Sequence, residues 1–290
     1  MKNLYFADTD FKSNCQSHKL QLIKKRLQSF FYKQYFGDHM IDDKLSLFLD
    51  SGAFSAFTKN VDINIDEYIE FIKKYEQHLD VYANLDVIKN AEATMVNQRY
   101  MESKGLHPLP VYHLGSDHSY LEHYSENYEY IGLGGMAGID TPKPTIIAQL
   151  DELWMKYLAN EDGTARVKVH GFACTGTELV KRYPWYSVDS TSWVLNGRFG
   201  SVFCPIGDLN KITISDQSDT SKPDHFKRFP EHDKQAIIEY FKNLGRGYTI
   251  EELEEKYQSR DEVNILYFIN LEKQLVDNPP LFKIQQMHLF

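Results

Sequence analysis

Three aspartates in the 290-residue chain close short apolar runs: Leu49-Asp50-Ser51-Gly52-Ala53-Phe54, Asn84-Leu85-Asp86 and Ser187-Val188-Asp189-Ser190. Carboxylates that meet in one cavity raise one another's pKa, so that one can hold a proton at neutral pH. Such a set suits a carboxylate nucleophile beside a carboxyl acid/base, as in glycosyl transfer. Taken singly, each aspartate reads more readily as a cap of the helix that follows it; the three together, beside glycines and at the ends of barrel strands, favour the functional reading. Two further runs end in Tyr112-His113-Leu114-Gly115-Ser116 and in His170-Gly171-Phe172-Ala173. Another leads into Gly132-Leu133-Gly134-Gly135-Met136-Ala137, where glycines would let the backbone approach a flat ligand and offer free amides. The text is neither a dinucleotide fingerprint nor a phosphate-binding loop. The remaining histidines show no H-E-x-x-H pairing, so no catalytic metal is expected, and no cofactor is expected either. Cys15, Cys174 and Cys204 lie too far apart in sequence for a disulfide framework and point to a reducing compartment.

The elements that must position these residues alternate. Strand-like runs fall at 3–6, 46–50, 81–85, 110–113, 130–134, 166–170, 186–189 and 200–204. Helical faces lie between most of them: Leu20, Ile23, Leu27 and Phe30; Ile69, Ile72 and Tyr75 after Asp66; Ile146, Ile147, Leu150, Leu153, Trp154 and Tyr157. Alternation implies an α/β chain with a parallel sheet. Eight strands in about 205 residues fit a closed (β/α)8 TIM-like barrel, whose strand ends share one face. The barrel is expected over 1–206. A C-terminal extension over 207–290, packed on the barrel, would hold a polar loop at 208–230, a helix at 232–244 and a capping box at Thr249-Ile250-Glu251-Glu252. A last helix carries Val263, Leu266, Tyr267, Ile269 and Leu271 and ends at Pro279-Pro280.

Composition bounds the partners. An aromatic content of 14% excludes global disorder, and a net charge of −9 argues against coating nucleic acid by bulk attraction. One stretch runs against the balance: 11–37 has no acidic residue and carries Lys12, Lys19, Lys24, Lys25, Arg26 and Lys33, a candidate strip for phosphates. No apolar run reaches the roughly 18 residues of a membrane span, and the first residues lack a signal core, so a cytoplasmic protein is expected.

In this order, the motifs resemble those of the tRNA-guanine transglycosylase superfamily. The closest likeness is to its DNA branch, the DpdA-type phage and bacterial 7-deazaguanine DNA transglycosylases. The resemblance runs over about 46–203, with a weaker echo at 264–271. It implies that Asp50, in Asp50-Ser51-Gly52-Ala53-Phe54, is the acid/base, that Asp189 is the nucleophile and that Asp86 reads the guanine edge. Gly134, Gly135 and Met136 would bind the base through the backbone, and His170-Gly171 would stand in the pocket wall. Phe54 or Phe172 would sandwich the base, although ordinary packing explains either equally. The family's fourth-strand glutamine is absent, and its polar role is vacant or passes to His113. The Cys-x-Cys-x-x-Cys plus His zinc site is absent too, and Cys174 and Cys204 cannot supply four ligands. That absence favours DNA, single- or double-stranded, over tRNA as the polymer. The Thr/Arg segment after the nucleophile is replaced by Ser190-Thr191-Ser192-Trp193, with Arg198 as a partial substitute. The resemblance implies exchange of guanine for a free 7-deazaguanine base, such as 7-cyano-7-deazaguanine, through a covalent aspartyl-glycosyl enzyme. Lys24, Lys25 and Arg26 would hold the polymer backbone, and a phage protein would act in the host cytoplasm. The alternatives are the same chemistry on tRNA, a non-catalytic nucleic-acid-binding subunit, and a barrel hydrolase of small glycosides or nucleosides.

Overall fold

A computed structural model describes residues 1, 3–7, 21–36, 44–136, 143–174, 176–206 and 209–283. Lys12, Lys19, Cys15 and Ala137 lie outside the described residues. The chain divides into two compact units. One holds Lys24–Ser190 with the N-terminal strand and residues 275–283; the other holds Thr191–Gln274.

The first unit is built on eight parallel strands: β1 (Asn3–Phe6), β2 (Lys25–Ser29), β3 (Ser46–Asp50), β4 (Val81–Tyr82), β5 (Val111–His113), β6 (Tyr130–Gly134), β7 (Lys168–Gly171) and β8 (Ser187–Ser190). They pair in the order β4-β3-β2-β1-β8-β7-β6-β5. The two ends of that order also meet. Ala83 and Leu109 form a parallel bridge, with Asn84 N–H donating to Leu109 O at 2.9 Å and Leu109 N–H to Tyr82 O at 2.8 Å. Hydrogen bonding therefore runs from strand to strand around all eight, the arrangement of a TIM-like barrel.

Period-2 alternation sorts the strand residues. Tyr5, Leu27, Phe48, Ala83, Leu109 and Val111 cluster together inside the sheet. Their sequence neighbours Leu49 and Tyr82 instead pack outward against helix α2 (Ile65–Tyr75), through Tyr68, Ile69 and Ile72. That helix starts where Asn64 accepts from the Asp66 and Glu67 amides. Helices α1 (Ala53–Thr58), α3 (Ala91–Ser103), α4 (His118–Asn127), α5 (Lys143–Leu153) and α6 (Thr177–Arg182) follow β3, β4, β5, β6 and β7.

Two expectations are corrected. The stretch expected to be helical through Leu27 contains β2. Its text, Lys-Arg-Leu-Gln-Ser, has no β-branched or aromatic residue, yet it pairs with β3 from Lys25↔Ser46 to Ser29↔Asp50. Pairing with strands on both sides outweighs a weak local preference. Conversely, the expected barrel strand at 200–204 is β9 (Ser201–Ile206), which pairs antiparallel with β10 (Leu209–Thr213) outside the eight-stranded sheet.

In the second unit, helices α7 (Ser192–Arg198), α8 (Glu231–Asn243), α9 (Ile250–Glu255) and α10 (Tyr257–Asp277) accompany that hairpin. Val202, Ile212, Ile237, Phe241, Leu253 and Val263 share a core. The buried Asn264 amide stitches it, accepting from Phe203 N–H at 2.9 Å and donating to Trp193 O at 3.0 Å. Thr249 caps α9 by accepting from Glu252 N–H at 3.2 Å, half of the expected capping box. The span expected to be a polar loop therefore contains β10, because Ile212 and Ile214 are fully buried.

Candidate active site

In a parallel barrel every strand delivers its last residue to the same face. Asp50 ends β3 opposite Ser29 of β2, and Asp189 lies in β8 opposite Tyr5 of β1. Asp86 comes from the segment after β4, and His113 ends β5 opposite Gly134 of β6. The charges of Asp86 and Asp189 both reach Asp50. Burial first, then the charges of Asp86 and Asp189, push the Asp50 carboxyl up to about 8, against opposing hydrogen bonds from the Gly52 and Ser51 backbone. Asp50 is thus a carboxylic acid at neutral pH.

None of the three is a helix cap. The N-cap residues of α1, α3 and α7 are Gly52, Asn90 and Thr191. Asp50 Oδ2 accepts from Gly52 N–H at 2.9 Å. Gly52 sits at φ +79°, and a Cβ there would stand 2.4 Å from Phe31 Cβ and from Ser29 Oγ, so only glycine makes this turn. Asp86 is held on both oxygens. Ser51 Oγ donates to Oδ1 at 2.8 Å, and His113 donates through Nε2 to Oδ2 at 2.9 Å. His113 therefore occupies the pocket as Asp86's partner. It leans across Gly134, whose Cβ would lie 2.7 Å from His113 Cδ2. Gly132 makes room for Phe172 in the same way, at 2.6 Å. The space these two glycines leave is filled by side chains. The amides of Gly135 and Met136 carry no hydrogen bond among the described residues.

Asp189 is 5% exposed. Its Oδ1 accepts from Ala173 N–H at 2.7 Å and stands 3.4 Å from His170 Nε2. Ala173 has φ +53°, a left-handed conformation rare for alanine, and that conformation aims its amide at the carboxylate. His170 is fully buried, which lowers its pKa against the pull of Asp189, and the ring is neutral at pH 7. Its Nδ1 meets Ser187 Oγ at 2.6 Å, and Ser187 Oγ meets Tyr130 OH at 2.5 Å. Gly171 follows His170 with its Cα face against Cys174 and Trp185, away from the barrel interior. The Cys174 thiol, buried beside Asp189, is pushed up and stays protonated.

Buried polar atoms without a hydrogen bond cluster in this unit: Ser29 Oγ, beside Asp50 in register, His170 Nε2, and both amide atoms of Asn84, two residues before Asp86. Orphaned groups are costly in a folded protein, and a polar ligand would satisfy them. Among the described residues no group of three or more His, Cys, Asp and Glu side chains is arranged to hold a metal ion. No described helix is long and apolar enough to cross a membrane.

Lys24, Lys25 and Arg26 do not join the site. They enter at the N-terminal end of β2, opposite Ser46 and Leu47, whereas Asp50 stands at the far end of the neighbouring strand. Arg198 ends α7 in the second unit. Phe54 is in α1, three residues after Ser51 and 46% exposed, and Phe57 beside it on the same face is 52% exposed. Lys89 Nζ lies 5.7 Å from the Phe57 ring, and Lys59 Nζ lies 4.9 Å from the rings of Phe31 and Tyr32. Sequence reasoning missed Ser51, Ala173, Ser187 and Tyr130. Ser187 was within reach, since it stands two residues before Asp189 and so shares its strand face. The chain matches no family model and no curated protein.

Proposed function

We propose that the barrel mouth exchanges guanine in DNA for a 7-deazaguanine base, the chemistry of the transglycosylases that its motifs resemble. The observation that carries the reading is the pair of unlike carboxyls. Asp50 is kept protonated by burial and by two neighbouring charges, while Asp189 accepts a backbone amide and faces a neutral imidazole. Two carboxyl groups in contrasting environments are what a nucleophile and an acid need.

In the first step an oxygen of Asp189 attacks the sugar C1′. The C1′–N9 bond breaks, its electron pair leaves with guanine, and the Asp50 carboxyl gives the leaving base its proton. The product is a glycosyl ester on Asp189. In the second step Asp50, now a carboxylate, takes the N9 proton of the incoming base. N9 attacks C1′, the ester bond breaks, and Asp189 returns as a carboxylate. Asp86 accepts from the N1–H and 2-amino group of the base, with Ser51 and His113 fixing its orientation. The amides of Gly135 and Met136 suit the carbonyl oxygen, with Gly134 beside them. A purine without the matching donors would leave Asp86 short of partners, which disfavours it by up to roughly 10⁴-fold.

The target nucleotide must leave the stack, at a cost of a few kcal/mol. Phe54 and Phe57 are exposed, with Lys89 near Phe57 and Lys59 in the segment that follows them, and offer the stacking faces and positive charge that an unstacked strand requires. This group replaces Lys24–Arg26 as the polymer-holding surface near the site.

The test is incorporation of a labelled 7-deazaguanine into guanine-containing DNA and, in parallel, into tRNA. Incorporation into DNA that Asp189→Ala abolishes is the expected result. Retention of full activity by that variant, or release of free guanine without uptake of label, refutes the reading. Uptake into tRNA alone moves the polymer assignment.

A further inference from the structure

His170 touches Asp189 on one side and a line of hydroxyls on the other. The line crosses the barrel interior: Asp189 Oδ1, His170 Nε2 at 3.4 Å, His170 Nδ1, Ser187 Oγ at 2.6 Å, and Tyr130 OH at 2.5 Å. His170 and Ser187 are fully buried, and the ring is walled by Tyr5, Phe48 and Phe172, so no solvent-exposed group competes for either nitrogen.

One direction of the line suits the carboxylate at its end, although Nε2 closes no hydrogen bond there. A neutral imidazole carries one N–H. If Nδ1 held it, Nε2 would point a lone pair at the Asp189 carboxylate. If Nε2 holds it, the ring presents a proton rather than a lone pair to the carboxylate 3.4 Å away, Nδ1 accepts from the Ser187 hydroxyl, and Ser187 Oγ accepts from Tyr130 OH. We infer that Tyr130, Ser187 and His170 form a directed hydrogen-bond chain that fixes the Nε2–H tautomer of His170 and so sets a proton, by electrostatic attraction, beside Oδ1 of Asp189, leaving Oδ2 as the attacking oxygen. The Ala173 amide falls on the same Oδ1. The amide hydrogen bond and the nearer ring nitrogen thus fall on one oxygen, and Oδ2 accepts no hydrogen bond among the described residues. His170, Ser187 and Tyr130 are positioning residues, acting on the reaction only through Asp189.

The role in attack rests on the proposed transglycosylation; the tautomer does not. The charged and titratable groups facing His170 are Asp189 and Ser187 from β8, Tyr130 from β6 and Tyr5 from β1. Long-range ¹H–¹⁵N correlation spectra of the full chain, with His170→Gln marking the resonance among 11 histidines, read the tautomer directly. The expected result is Nε2–H, unchanged from pH 8 to pH 6. An Nδ1–H tautomer, or an imidazolium at pH 7, overturns the chain. Ser187→Ala should mix the tautomers and, in the exchange assay, lower kcat about 10-fold with KM unchanged, the effect of losing one hydrogen bond that serves a charged group. Ser187→Thr, which restores the hydroxyl, should recover most of it. Tyr130→Phe, which keeps the ring, should give a smaller fall of about 3-fold. A Ser187→Ala protein with an unmixed Nε2–H tautomer refutes the directing role. A wild-type protein that holds this tautomer yet exchanges no base retires the transglycosylase reading and leaves the chain standing.

Discussion

Replacing Asp50 by Asn tests the electrostatics of the site through stability, without any substrate. The change is nearly isosteric and removes one titrating proton. In the folded protein Asp50 holds its proton up to about pH 8, against 3.8 for a free carboxyl. Between those values the folded state carries one proton more than the unfolded state. Stability then falls as pH rises, by at most about 1.4 kcal/mol per pH unit for one proton. The contribution is complete below pH 4 and gone above pH 8, the reverse of a salt-bridged aspartate. From pH 5 to pH 7 the wild-type protein should therefore lose up to about 2.7 kcal/mol relative to Asp50→Asn, groups common to both cancelling in the difference. Urea unfolding at pH 5, 6 and 7 measures it through tryptophan fluorescence, because Trp154 and Trp185 both belong to the barrel unit. Two stability-against-pH curves that run parallel would refute the assignment of a protonated, half-buried Asp50. On the proposed transglycosylation the same proton would serve the chemistry: expulsion of guanine would need the acid form, so the rate of the first half-reaction should decline as pH rises through about 8.

Two glycines give sharper local tests. Gly52→Ala places a methyl 2.4 Å from Phe31 Cβ and Ser29 Oγ on a backbone at φ +79°; a loss of about 2–4 kcal/mol is expected, and an unchanged urea midpoint would show that the turn is not as described. Gly134→Ala puts its methyl 2.7 Å from His113 Cδ2 and should push the ring off Asp86. If Asp86 reads the base as proposed, KM for the incoming base should rise about 10-fold while kcat changes little, the effect of losing one hydrogen bond that orients it; an unaltered KM would remove His113 from that proposal.

The strand ends were legible because breaks in hydrophobicity mark them. Asp50, Asp86 and Asp189 each interrupt an apolar run with a charge. Once the strands are parallel, topology alone carries such residues to one face. What the chain hides is what depends on partners rather than on period. Ala173 looks like any small residue, and its left-handed backbone exists because the Asp189 carboxylate receives its amide. The glycines of Gly132-Leu133-Gly134 read as room for a ligand, whereas Phe172 and His113 occupy that room, a fact fixed by side chains distant in sequence.

The two strand errors offset each other in number and not in consequence. Counting β9 and missing β2 still gives eight, so the barrel could be inferred from a wrong list. Function is less forgiving. Read as a helix, Lys24–Arg26 could lie anywhere on the outside of the barrel, including beside its mouth. As the first turn of a strand they are committed to the opposite end, because a parallel strand that delivers Ser29 beside Asp50 must begin some four residues below it. Positive charge near the carboxylates has to come from loops that follow strands, and Lys59 and Lys89 stand in the segments after β3 and β4. If the barrel grips a nucleic acid at its mouth, Lys59→Glu together with Lys89→Glu should weaken that grip and flatten its salt dependence, whereas Lys24→Glu with Lys25→Glu should leave both unchanged. Filter binding of single-stranded DNA at two salt concentrations separates the pairs. A larger loss from the Lys24 and Lys25 pair would place the polymer at the other end of the barrel, away from Asp189.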